Sequence, residues 1–269
     1  ALVAWWLLPI PFAVAFALLV AGAAAGDTPV STTECSDTSP SQSACTATEN
    51  VQCTCAATTS GSSDVLCGFF TSFWKLADTS DSIGSTTLTN SATPVTFVAG
   101  LVGNAGNFVR ASSENLSAAP SYTGTSFTGS CWINTTLAGA NAGAFVWIAG
   151  DTSGVRLVLN TAGKIEFWTN AAAAPKATSV ASLNDGSWHH IVFYHDGTAH
   201  TNTLVVDNGT PVVAAAAGEF LAGAGSLTIG STGAAQFWNG KIDACGVADG
   251  KTPTAAQITA LYNAGAGVE

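Results

Sequence analysis

Hydrophobic and polar positions divide the chain into three stretches. Residues 1–26, ALVAWWLLPIPFAVAFALLVAGAAAG, carry no charge. As a helix they would run about 39 Å, enough for a hydrocarbon core of about 30 Å. Pro9 and Pro11 each remove a backbone donor and predict a kink or a helix start beside them. Trp5 and Trp6 suit a membrane interface, where one edge of the indole stays wet. A retained anchor or assembly helix is favoured over a secretory signal peptide, because no Lys or Arg precedes the apolar run. Ala23-Ala24-Ala25 nevertheless has the form of an A-x-A cleavage site. Residues 27–68 are rich in Thr, Ser, Asp and Ala with almost no apolar period, and cannot bury enough surface to offset their chain entropy. They read as a stalk.

From about Phe69 to residue 269 the texture is that of short strands punctuated by Gly, Asn and Asp. Ser126–Asn134 alternates, with Phe127, Cys131 and Ile133 on one face and Ser130, Trp132 and Asn134 on the other. Val155–Leu159 and Lys164–Thr169 flank Asn160-Thr161-Ala162-Gly163, a hairpin by its turn residues. Trp188–His195 is a strand. Thr203–Val206 runs into Asp207-Asn208-Gly209, whose Asn-Gly pair tolerates the positive φ of a tight hairpin. Leu227–Ile229 and Gly240–Gly246 add further strands. One helix is predicted near the C-terminus: Thr252 as N-cap, Pro253 at the first helical position, and Ile258, Leu261 and Tyr262 as an apolar stripe before Gly265. Its stripe is expected on the edge of the strands. The pattern predicts a mainly β fold, an antiparallel two-sheet sandwich.

Composition narrows the functions open to it. Charged residues make up only 9% of the 269, and 7 Lys+Arg against 17 Asp+Glu give a net charge of -10. So few basic residues cannot form the stripe that a phosphate backbone requires, which excludes nucleic acid as a partner. The absence of Met implies that something precedes Ala1. Seven Cys point to an oxidising compartment. Cys35, Cys45, Cys53, Cys55 and Cys67 cluster in or beside the stalk and read as disulfide staples, with an odd one left for an intersubunit bridge. Zinc fits them poorly, since the four histidines all fall in 189–200. After the apolar segment come acidic residues, Asp27, Glu34 and Asp37, and the first basic residue is Lys75. By the positive-inside rule the bulk of the chain is expected on the extracellular or periplasmic side.

The segments FWKLADTSDSIG (73–84), TFVAGLVGNAGNF (96–108), ASSENLS (111–117), FTGSCWI (127–133), GSWHHIVFYHDG (186–197), LVVDNGTPV (204–212), WNGKIDACGV (238–247) and TAAQITALYNAGAG (254–267), in that order, resemble the laminin-G-like, concanavalin-A-like jelly rolls. The nearest version is that of bacterial surface proteins and phage or virus particles. The resemblance spans about residues 69–269. It implies two curved antiparallel sheets packed face to face. It also implies that the strand like 127–133 lies near the one like 240–246, which makes Cys131–Cys245 a disulfide candidate. Some members bind calcium at the sheet rim and glycans or proteins beside it. Asp151, Asp185, Asp196 and Asp207, all at turns, are the corresponding candidates here, although Asp at a turn usually serves the turn itself. In layout alone residues 1–26 are also similar to the mature N-terminus of pilin-type subunits, but Trp5 stands where those subunits usually have Glu.

Catalytic chemistry is sparse. The glycosidases of this fold place paired carboxylates on one strand. Here the six glutamates, at 34, 49, 114, 166, 219 and 269, are isolated, and Glu166 near Lys164 reads as a solvated cross-strand position. His189 and His190 point to opposite faces of their strand, and His195 lies about 20 Å from His189. All read as structural. Asn115, Asn134 and Asn208 begin N-x-S/T triplets, acceptors for glycan only in a eukaryotic secretory host. The expectation is a non-enzymatic surface protein without a cofactor. Residues 1–26 would hold it in a membrane or against apolar helices of other subunits, homo-oligomers included, and the jelly roll would meet a protein or a glycan. The alternatives are a structural subunit of a filament, virion or membrane complex, and a lectin whose sugar stacks on Trp168 or Trp238.

Overall fold

The structure, a computed structural model, describes residues 68–149, 153–169, 177–216 and 223–268. The expectations for Trp5, Trp6, Pro9 and Pro11, for Cys35, Cys45, Cys53, Cys55 and Cys67, and for Asp151 lie outside the described residues. Among the described residues no helix is long and apolar enough to cross a membrane.

The strands are β1 (Ser72–Trp74), β2 (Thr89–Asn90), β3 (Thr96–Ala99), β4 (Asn104–Phe108), β5 (Leu116–Ala118), β6 (Ser121–Tyr122), β7 (Phe127–Thr135) and β8 (Ala142–Ala149). They continue as β9 (Ser153–Leu159), β10 (Ile165–Thr169), β11 (Ala177–Thr178), β12 (Trp188–Asp196), β13 (Thr201–Val206), β14 (Val212–Ala215), β15 (Gly223–Ala224), β16 (Ser226–Ile229) and β17 (Gly240–Asp249), and helix α1 (Ala255–Tyr262) follows. An 8-stranded sheet runs β14-β13-β12-β7-β17-β4-β3, with β1 also on β17, and a 7-stranded sheet runs β11-β10-β9-β8-β16-β5-β2. All pairings within the two sheets are antiparallel. The architecture is the antiparallel two-sheet sandwich that the alternation predicts, with the jelly-roll form that the family resemblance implies.

Between the sheets, Phe193 of β12 meets Phe145 and Phe167 of the opposite sheet at ring separations of 5.4 and 5.3 Å. The Phe193 ring lies across Gly129, its cross-strand partner on β7. A Cβ at 129 would enter that ring. Cys131 and Cys245 form a disulfide between β7 and β17, with Cα atoms 4.3 Å apart. Beside it β17 bulges, so that the register steps from Asp243 opposite Trp132 to Gly246 opposite Ser130. The extra residue lets Cys245 face inward with Ile242 and Val247.

The other face of the 8-stranded sheet is also covered, which explains why both sides of Phe127–Asn134 are apolar or packed. Phe69, Phe70 and Phe73 gather there with Trp132, Ala248, Leu261 and Val268, while Ile258 packs with Val192 and Val205. The helix therefore lies on a sheet face, not on the sheet edge. Its N-cap is Thr254, not Thr252: the Thr254 hydroxyl accepts from the Gln257 N–H and the Gln257 side chain accepts from the Thr254 N–H. This reciprocal capping box satisfies two backbone donors and sets the helix start two residues later.

Candidate functional site

The outward face of the 7-stranded sheet is built by simple alternation. On β10, Ile165, Phe167 and Thr169 are buried while Glu166 and Trp168 are half-buried and point away from the core. Lys164 precedes them with the same parity. The register then lays out a row across six strands: Trp168 opposite Arg156, Arg156 opposite Val146, Val146 opposite Thr228, Thr228 opposite Ser117, and Ser117 opposite Thr89. A second row sets Thr178 beside Glu166 and Glu166 beside Val158. At about 4.8 Å per strand the first row is about 24 Å long.

Its polar end is ordered by short bonds. Glu166 accepts from Asn160 Nδ2 at 2.6 Å and from the Trp168 indole N–H at 3.2 Å. Asn160 in turn organises the β9–β10 hairpin, its Oδ1 accepting from the N–H groups of Ala162 and Lys164 at 2.9 and 3.0 Å. The Trp168 ring is thus tethered by its nitrogen to its own hairpin. Glu166 is not the merely solvated side chain that its sequence context implied. The position that stacks a sugar cannot be Trp238, which is fully buried in the core.

The histidines form a separate, structural group. His190 is buried under α1 on the helix-covered face, stacked on Trp132 at 4.8 Å, with Nε2 2.9 Å from Ser130 Oγ. Burial lowers its pKa to about 4, so it is neutral. His189 spans two acids, with Nδ1 2.7 Å from Asp207 and Nε2 3.2 Å from Asp185. The Asp207 hydrogen bond raises its pKa against the opposing effect of burial. His195 faces Asn202 Oδ1 at 2.8 Å. Asp243, buried in β17, accepts from the N–H groups of Leu101 and Val102, and burial raises its pKa to about 6.

The described calcium candidates, Asp185, Asp196 and Asp207, do not gather at one site. Asp196 accepts from Thr198 and Ala199 N–H groups, and Asp185 from Ser187 N–H, each closing its own turn. Asp207 binds His189 and the His190 N–H. Among the described residues no group of three or more His, Cys, Asp or Glu is placed to hold a metal ion. Of the N-x-S/T asparagines, Asn208 is exposed at the β13–β14 turn with φ 55°, Asn134 donates to the Gly186 carbonyl, and Asn115 pairs its backbone with Ser91. A shallow cleft between the sheet edges, lined by Val180, Leu183, Leu204, Val206 and Val212, offers only the hydroxyls of Ser179 and Thr210 as side-chain polar groups. The Trp168 face combines an aromatic plane, a cation, an anion and hydroxyls. It is the stronger candidate.

A laminin-G profile of the concanavalin A-like lectin/glucanases superfamily matches residues 105–259. The chain belongs to that superfamily. The strands before residue 105 complete the jelly roll, since β1 pairs with β17 and β3 with β4. No curated protein sequence matches the chain. Among solved structures it is similar to domain 4 of AbnA, a GH43 extracellular arabinanase from Geobacillus stearothermophilus in complex with arabinotriose. That match has TM-score 0.60 and 16% identity over 71% of this chain and 97% of that one. It is also similar to the binding domain of botulinum neurotoxin serotype D, with TM-score 0.58 and 10% identity over 72% of this chain and 51% of that one. The binding domain of Paraclostridial Mosquitocidal Protein 1 matches with TM-score 0.57 and 12% identity over 72% and 52%. The chain thus spans about half the length of these toxin domains. At such identities the likeness is one of fold, and it agrees with the superfamily's jelly roll.

Proposed function

We propose that the protein is a non-enzymatic extracellular or periplasmic recognition module that binds glycan on the outward face of its 7-stranded sheet. The observation that carries this reading is Trp168, half-exposed on that face and oriented by its 3.2 Å bond to Glu166. An indole plane held in place stacks on the C–H face of a pyranose or furanose ring, and adjacent hydroxyl, amide and carboxylate groups meet its hydroxyls. The jelly roll of an arabinanase domain seen with arabinotriose supports the substrate class. The buried Cys131–Cys245 bond supports an oxidising location. Residues 1–26 would tether the module to a membrane or assembly, and 27–68 would space it from that base.

The test is a glycan array followed by calorimetry on the full chain and on Trp168→Ala. Wild-type binding in the micromolar to millimolar range, lost at least tenfold in the variant, is expected. An unchanged affinity in Trp168→Ala would move the site elsewhere, and a blank array with and without calcium would remove the lectin reading altogether.

A further inference from the structure

The Trp168 face carries an excess of positive charge that the rest of the chain does not. Only 7 Lys+Arg occur in a chain of net charge -10. Arg110, Lys241 and Lys251 are committed to backbone carbonyls: Arg110 to Asn141 and Phe237, Lys241 to Ala99, and Lys251 to Gly68 and Phe69. Arg156 and Lys164 are different. Both are half-buried, both point outward from the β9–β10 hairpin, and neither side chain has a hydrogen-bond or ion-pair partner among the described residues, which is true also of Lys75, remote from this hairpin in sequence. They flank the indole: Arg156 stands directly opposite Trp168, and Lys164 lies four residues before it with the same parity.

A carboxylate is close by and offsets only one of the two charges. Glu166 shares the face, and its oxygens accept from Asn160 Nδ2 and the Trp168 N–H rather than from either cation. A guanidinium with a free planar fork beside a tethered aromatic plane fits a planar carboxylate presented on a ring. We infer that the glycan bound by this face is acidic, with a ring stacked on Trp168 and its carboxylate held by Arg156, so that hexuronate-containing oligosaccharides are the preferred class. Lys164 adds a second attraction towards the hairpin end. The local pair also offsets the repulsion that a chain of net charge -10 exerts on an approaching polyanion. This inference rests on the glycan reading above.

The test uses the full chain against three probes of matched length: a neutral arabino- or xylo-oligosaccharide, an oligogalacturonide, and a sulfated heparin-derived oligosaccharide. Binding is measured by calorimetry at 50 and 300 mM salt. The oligogalacturonide is expected to bind at least tenfold more tightly than the neutral probe and to weaken with salt. Arg156→Gln is expected to weaken oligogalacturonide binding at least tenfold more than it weakens neutral binding, removing that preference, and Arg156→Lys to restore only part of it, because an ammonium keeps the charge and loses the fork. Unchanged thermal melting in both variants controls for folding. Equal binding of neutral and uronate probes, abolished by Trp168→Ala but indifferent to Arg156→Gln, would overturn the inference and leave the glycan site standing. Preference for the sulfated probe over the uronate would overturn the carboxylate assignment. Absence of binding to all three would overturn the glycan reading with it.

Discussion

Replacing Cys131 and Cys245 together by alanine removes a covalent tie between β7 and β17, two central strands of the 8-stranded sheet. The two cysteines are 114 residues apart in sequence. Closing a loop of that length in the unfolded chain corresponds to about 4.8 kcal/mol at 25 °C in the chain-entropy model. Both side chains are fully buried, so the two missing sulfurs add about 1 kcal/mol more through lost contacts. With a urea slope of about 3 kcal/mol/M, the unfolding midpoint of C131A/C245A should fall by roughly 2 M relative to wild type, with a slope similar or slightly larger. Equilibrium urea unfolding followed by tryptophan fluorescence measures this, with both proteins kept under oxidising conditions. The wild type treated with reductant should move in the same direction, and denatured wild type should show two fewer free thiols before reduction than after, counted at these positions by peptide mapping. A midpoint shift below about 0.5 M with an unchanged slope would refute the reasoning. It would mean that the unfolded chain gains little freedom when the bond is absent.

Gly129→Ala places a methyl group where the Phe193 ring lies, and the tightly filled inter-sheet core should lose about 1–3 kcal/mol, read as a lower urea midpoint; an unchanged midpoint would show that the ring can rotate away freely. His189 has a folded pKa raised mainly by the Asp207 hydrogen bond. Its contribution is therefore fully present below the unfolded value of about 6.5 and is lost as pH rises through the folded pKa. Melting temperature should decline more steeply through that window in the wild type than in His189→Gln. The difference between the two proteins isolates His189, because His190, lowered to about 4 by burial, and Asp243, raised to about 6 by burial, contribute alike to both. Equal pH slopes in wild type and His189→Gln would show that the Asp207 contact does not couple to folding.

Much of the sandwich is legible in the sequence because its strands alternate. Phe127–Thr135, Ile165–Thr169 and Trp188–Asp196 fall within a residue or two of where polarity and turn residues put them. The turn after β13 is where its residue types put it, but the positive φ, 51° and 55°, falls on Asp207 and Asn208, one residue before the Asn208-Gly209 pair expected to carry it. β8 was not among the predicted strands. AGAFVWIA is apolar throughout, since Val146 on the outward face is as buried as Phe145 and Trp147 in the core, and a period of two vanishes when both faces are covered. β1, β2, β5 and β6, of two or three residues each, are too short to show any period; β1, for example, forms on the longer β17.

The candidate site divides the same way. Arg156, Asn160, Glu166 and Trp168 belong to one hairpin, so their proximity follows from local sequence once the turn at 160–163 is recognised. That Trp168 rather than Trp238 stands on an outer surface does not follow, because both are aromatic residues in strand-like contexts. Nor does the run from Arg156 through Val146, Thr228 and Ser117 to Thr89, which joins strands far apart in the chain. The sequence by itself determined the mainly β class, the sparse charge and the hairpin that carries the polar groups, because alternation, turn chemistry and composition are local properties. Only the tertiary structure decided which positions are covered. Phe69, Phe70 and α1 bury the outer face of the 8-stranded sheet, while the outward face of the 7-stranded sheet is buried at Val146 and Thr228 and half-buried at Arg156, Glu166 and Trp168, because burial is set by packing between strands far apart in the chain.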